Sequence, residues 1–184
     1  MRPFADCPPV KMPEVYVNYG DVPADVQSFT CDEPALDSFL KTRAASFIQK
    51  GLCAVTLLLD SDTREVLGFY AISPYAIDGA ALREEQQKHF DVTFEIPAWK
   101  IGELAVHAKY QRNPKTGDSR RYGTMLLQEA IEDIQRRAAR GAGALIMVDT
   151  INRKVKKFYK KFGFASLPNV SNQMARPVDE STAQ

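Results

Sequence analysis

RRYGTMLLQEAI, residues 120–131, places two arginines against a glycine where a helical pattern begins. Leu127, Ile131, Ile134 and Ala138 recur at helical spacing. They predict a helix over Thr124–Arg140, with Gly141 as its stop. Gly123 stands at the junction of loop and helix. The first amides of a helix have no internal partners, and the helix dipole is positive there. A glycine lets an anion approach that backbone closely, and Arg120 and Arg121 add charge-assisted bonds. The stretch therefore reads as a phosphate cradle built from Arg120, Arg121 and the amides of Tyr122, Gly123, Thr124 and Met125.

The charge distribution agrees. The 184 residues carry a net charge of only +1, but it is uneven. Residues 109–161 hold 14 Lys/Arg against 5 Asp/Glu, a local +9, whereas residues 1–108 stand at −7. A basic block inside a near-neutral chain points to an anionic ligand.

Outward from this helix the pattern alternates. ALIMVD (144–149) is a continuous apolar run, hence a buried strand. NRKVKKFYKKFGF (152–164) predicts a helix with Val155, Phe158, Tyr159 and Phe162 inward, followed by a strand at FASLP. Upstream, WKIGELAVH (99–107) is strand-like and the polar AKYQRNPKTGDSR after it is a loop. LCAVTLLLD and VLGFYAIS, joined by DSDTRE, make a β-hairpin. Residues 30–51 predict a helix capped by Thr30 or Asp32, with Pro34 in its first turn, Gly51 at its end, and Leu36, Phe39, Leu40, Phe47 and Ile48 inward. ALREEQQKHF suggests a short helix in an otherwise polar region. The order implies one mixed α/β domain over residues 1–168 around a single sheet, with residues 169–184 as a loose tail.

Composition narrows the class. A 45% hydrophobic, 26% charged chain is an ordinary globular one. Its longest apolar runs are too short to cross a bilayer, and the N-terminus shows no secretory h-region. Cysteines 7, 31 and 53 form no CxxC pair and read as reduced thiols of a cytoplasmic protein, with no metal site.

ELAVHAKYQ, RRYGTMLLQEAI and GAGALIMVDTINRKVKKFYKKFGF, in that order, resemble the GNAT superfamily of acetyl-CoA-dependent N-acetyltransferases over roughly residues 28–168. The resemblance implies the GNAT fold, a central mixed twisted sheet with flanking helices. It also implies acetyl-CoA as co-substrate, held by Leu104, Ala105 and Val106, by the loop and helix start from Arg120 to Met125, and by Asn152. FTCDEPALDSFLKTRAASFIQKG further resembles the bacterial branch containing toxins that acetylate the α-amine of aminoacyl-tRNA, whose partners are often ribbon-helix-helix antitoxins. On that reading Lys154, Lys156, Lys157, Lys160 and Lys161 receive RNA, and a homodimer is compatible with it. The chain departs from the pattern in a loop seven residues longer, in Asp118 and Arg121 at two motif positions, and in Glu103 before LAV where the toxins carry arginine.

Acetyl transfer needs a neutral amine, a stabilised oxyanion and a proton for the leaving thiolate. Tyr159 matches the family's acidic tyrosine, and a phenol with a pKa of about 10 holds its proton at neutral pH. Glu103 is the candidate base; His89 and His107 are weaker ones. An α-amine with a pKa of about 7.7–8.0 needs little help from a base, unlike a lysine amine at about 10.4. Two other readings stay open: an enzyme acting on a small-molecule or protein amine, and a degenerate domain that only binds.

Overall fold

The computed structural model describes residues 14–90, 94–111, 121–168, 170 and 172–179. The expected anchor Arg120, the departing motif position Asp118, the side chain of His89, and Cys7 lie outside them. Seven strands form one sheet in the order β1-β2-β3-β4-β5-β7-β6. These are β1 (Glu14–Asn18), β2 (Ala54–Asp60), β3 (Val66–Asp78), β4 (Glu95–Val106), β5 (Leu145–Asp149), β6 (Ala165–Ser166) and β7 (Gln173–Pro177). Every pairing is antiparallel except β4 with β5. A parallel neighbour needs a crossover, and α4 (Tyr122–Ala138) supplies it, packing on β3 and β4.

The sheet is covered on both faces. One face packs against α4 and α5 (Arg153–Lys160) through Tyr70, Ile101, Leu126, Leu127, Ile134 and Val148. The predicted inward residues Val155, Phe158, Tyr159 and Phe162 all join this cluster. Gly68 makes the fit possible: a Cβ there would lie 2.6 Å from Leu126 Cδ1 and 2.7 Å from the Ala105 carbonyl. The opposite face packs against α1 (Pro34–Ser38) and α2 (Ala44–Gln49) through Phe29, Phe39, Leu40, Leu57 and Phe69. A π-helical turn, Phe39–Arg43, joins these two helices. The short helix α3 covers Glu84–Phe90.

Four expectations are corrected. The predicted single helix over 30–51 is broken by the π turn, and neither Thr30 nor Asp32 caps it. Asp32 has φ +64°, and Asp37 reaches back from inside the helix to accept from Thr30 Oγ1 and the Cys31 amide, both at 2.8 Å. Helix α4 begins two residues before Thr124, because Tyr122 is buried and pulls the first turn onto the core. Strand β1 was not expected at all. It lies at the sheet edge, half-buried, and its identity comes from pairing with β2. Finally, residues 169–184 are not simply a loose tail. Gln173–Pro177 inserts between β5 and β6, burying Met174, Ala175 and Arg176. This strand is short and carries Gln, Arg and Pro, so only its long-range partner β5 defines it.

Candidate active site

The site follows from where two strands part. β4 and β5 pair from Ala98↔Leu145 to Ile101↔Val148 and then stop. β4 continues to Val106 against β3 alone. The register shifts here: Ala71 faces Glu103 and Ile72 faces Ile101, leaving Gly102 as an extra residue on β4. Such a bulge bends its strand. Among the described residues, the cleft edge of Gly102–Val106 therefore has no strand opposite, and its outward backbone groups face the cleft. Within this segment Ala105 is buried on the α1/α2 face, while Leu104 and Val106 pack towards α4. The Val106 carbonyl accepts from Gln111 Nε2 at 3.1 Å, and the same amide donates to the Cys31 carbonyl at 2.8 Å.

Helix α4 opens beside this edge. Arg121 precedes it in the left-handed conformation, φ +52° and ψ +33°, with no side-chain cap. Thr124 and Met125 donate to the Arg121 carbonyl at 2.8 and 3.0 Å, so these two expected anion donors are engaged inside the helix. Tyr122 is buried, with its hydroxyl on Glu14 at 2.9 Å. Gly123 differs. Its φ is not positive, and a Cβ there would meet only Val106 Cγ2, at 3.8 Å. Among the described residues, nothing requires glycine at this position. Open backbone at a helix start, beside a free strand edge, fits a pyrophosphate-bearing ligand such as acetyl-CoA.

Tyr159 lies on α5, 7% exposed, with Phe158 and Phe164 ring centroids at 5.5 and 5.4 Å. Its hydroxyl has no hydrogen-bond partner among the described residues. Burial, aided by the nearby Asp149 carboxylate, pushes its pKa up to about 12, so it keeps its proton throughout the neutral range. Glu103 stands two residues from Ala105 and so leaves the sheet on the same α1/α2 face, opposite the face that holds Tyr159. Burial raises its carboxyl above the ordinary range; Arg43 and Lys100 oppose the shift and Asp149 adds to it. Asn152 caps α5, its Oδ1 accepting from the Val155 amide at 2.9 Å, which turns this expected cofactor contact towards its own helix. His107 is also committed: its Nδ1 accepts from the Lys109 amide and its ring packs on Phe29.

Sequence reading missed Lys100, Asp149 and Arg43. Lys100 Nζ pairs with Asp149 Oδ2 at 2.6 Å at the fork where β4 and β5 part. Arg43 reaches this region because the π turn directs it there; its guanidinium lies 5.6 Å from the Phe39 ring centroid. The only sequence signal was the acid ending the apolar run ALIMVD.

A splayed parallel pair, a helix start at its mouth and a buried tyrosine beside it are arranged for acyl transfer. The model of the acetyltransferase (GNAT) family matches residues 26–164. The chain belongs to the GNAT acetyltransferase family. As a GNAT member it resembles a tRNA-acetylating toxin of Mycobacterium tuberculosis (strain ATCC 25618 / H37Rv), with 31% identity covering 78% of this chain and 80% of that one. Its fold is also that of AtaT complexed with acetyl-methionyl-tRNAfMet, with TM-score 0.78, 23% identity, and 89% of this chain and 94% of that chain covered. A mutant AtaT bound to the C-terminus of the antitoxin AtaR and acetyl-CoA gives TM-score 0.74 at 21% identity, covering 93% and 96%. Among the described residues of this GNAT domain, no helix is long and apolar enough to cross a membrane.

Proposed function

We propose that the chain transfers the acetyl group of acetyl-CoA to the α-amine of aminoacyl-tRNA, and so acts in the cytoplasm as a translation-blocking toxin. One juxtaposition carries this reading: the helix that holds Tyr159 inward turns Arg153, Lys154, Lys157 and Lys160 outward, all exposed. Lys161 continues the exposed basic surface, whereas Lys156 is half-buried. The likeness to a relative named as a tRNA-acetylating toxin supports the same substrate. A ribbon-helix-helix antitoxin is the partner this reading implies.

Acetyl-CoA, when bound, supplies an acetyl group activated as a thioester. Outward backbone amides of Gly102–Val106 stabilise charge on the carbonyl oxygen. Glu103, directly or through water, takes the proton the amine loses as the new C–N bond forms. Tyr159 gives its proton to the sulfur as the C–S bond breaks.

The direct test supplies labelled acetyl-CoA and a mixed pool of aminoacylated tRNA. Label is expected in the tRNA fraction and lost on deacylation. Labelling of a small amine or a protein amine, with none on tRNA, would replace this reading with the wider acetyltransferase one. No turnover at all would leave a binding module.

Two further outcomes check the parts. tRNA affinity should fall at least tenfold between low and physiological salt. Replacing Lys154, Lys157 and Lys160 singly by alanine should reduce the log–log salt slope by about 1 each, as measured by filter binding. An unchanged slope would remove α5 from the RNA surface. In Glu103→Gln, the rate should drop about tenfold, less than the ~10²–10⁴ of a typical general base, because an α-amine is already partly neutral. A raised carboxyl pKa means that Glu103 gains its proton early as pH falls. The parent's acid-side inflection should therefore lie above the ordinary carboxylate range and vanish in the variant. A pH–rate profile that keeps this inflection in Glu103→Gln would refute the assignment.

A further inference from the structure

The ion pair at the fork of β4 and β5 has no part in the chemistry above. Lys100 stands on β4 and Asp149 ends β5, one residue past the last β4–β5 pairing partner. Both leave the sheet on the α1/α2 face: Lys100 alternates with Ala98 and Asp149 with Met147, away from the α4/α5 cluster. The Lys100 ammonium lies 2.6 Å from Asp149 Oδ2 and 5.3 Å from the Tyr75 ring centroid. A carboxylate beside an aromatic face is a box that suits a primary ammonium. Here the protein's own lysine fills it.

The box is reachable and well placed. The Asp149 side chain is 40% exposed and that of Lys100 23%. Lysine is a point charge on a four-carbon stem and can leave without backbone movement. A partly exposed pair contributes little to stability, so stability does not explain its position. The Asp149 charge reaches both Glu103 and Tyr159, which stand on opposite faces of the sheet. A cation on Asp149 is therefore within electrostatic range of both the proposed base and the proposed acid.

We propose that Asp149 is the carboxylate on which the acceptor's ammonium docks, and that Lys100 holds this position until the acceptor displaces it. The exchange is cation for cation, so the charge of the box is kept. The docked ammonium releases one proton to solvent to become the neutral nucleophile, and Glu103 takes the second as the C–N bond forms. The inference rests on the α-amine acceptor proposed above and names the residue that receives it.

Two substitutions separate docking from a fixed strap, since each breaks the same pair. For docking, Asp149→Asn raises KM for aminoacyl-tRNA tenfold or more and leaves KM for acetyl-CoA unchanged. Lys100→Met, which removes the competing cation, keeps or lowers the acceptor KM. Equal increases in both variants, or no increase in Asp149→Asn, would overturn the proposal. A binding readout is independent of turnover: methionine methyl ester is titrated into the CoA-loaded protein while the nitrogen resonance of the Lys100 ammonium is followed. The ester should shift that resonance in the parent and not in Asp149→Asn. Displacement by the ester without acetylation of charged tRNA would support docking and sink the tRNA reading alone. No displacement at millimolar ester would sink docking alone.

Discussion

Tyr159→Phe should lower kcat by about 10²–10⁴, equivalent to about 3–5 kcal/mol of barrier, with acetyl-CoA affinity and Tm little changed. The substitution keeps the ring between Phe158 and Phe164 and removes only the hydroxyl. That hydroxyl has no hydrogen-bond partner among the described residues, so its loss leaves no donor or acceptor stranded in the core. A structural tyrosine would give the opposite result, near-normal turnover with altered stability. The pH profile adds a second check. The tyrosine pKa is raised to about 12, so its acid form persists across the neutral range and its titration limits the rate only in strong alkali. Rates within threefold of the parent in Tyr159→Phe would return the proton donor to solvent.

Gly123→Ala should separate folding from ligand binding. Among the described residues, a Cβ there has its nearest neighbour at an ordinary 3.8 Å. Alanine also favours a helix over glycine, by up to about 1 kcal/mol in an interior position. Tm is therefore expected to hold or rise slightly. Acetyl-CoA affinity should fall tenfold or more, because a methyl group at the helix start keeps phosphate oxygens from the amide, and a charged hydrogen bond contributes about 1.5–3 kcal/mol. Calorimetry showing unchanged affinity would remove Gly123 from the cradle. A fall in Tm would instead show that glycine serves the fold.

Which parts of the site could be read in advance depended on range. Tyr159, Gly123 and the LAV strand sit in local patterns: an amphipathic helix, a helix start and an apolar run. Lys100 and Asp149 are 49 positions apart in the chain and meet only because β5 pairs in parallel with β4. Arg43 is directed by a π turn that lengthens one helical turn by a residue, and no propensity in FLKTR marks it. The family resemblance implies Asn152 as a cofactor contact, and its side-chain Oδ1 caps its own helix.

The hairpin β2–β3 and the run β4, α4, β5, α5 in that order, the inward faces of α4 and α5, the basic block from 109 to 161 and the family were determined by the sequence alone. Apolar periodicity and net charge are local sums, and they survive without knowledge of partners. Tertiary structure decided the rest. It placed β7 inside the sheet despite its polar residues, recruited β1 through β2, and spent Thr124, Met125 and Asn152 within helices. It also opened the cleft, because a single extra residue at Gly102 bends β4 away after its fourth pair with β5. A bulge and a pairing limit are properties of two strands together, and neither strand carries them by itself.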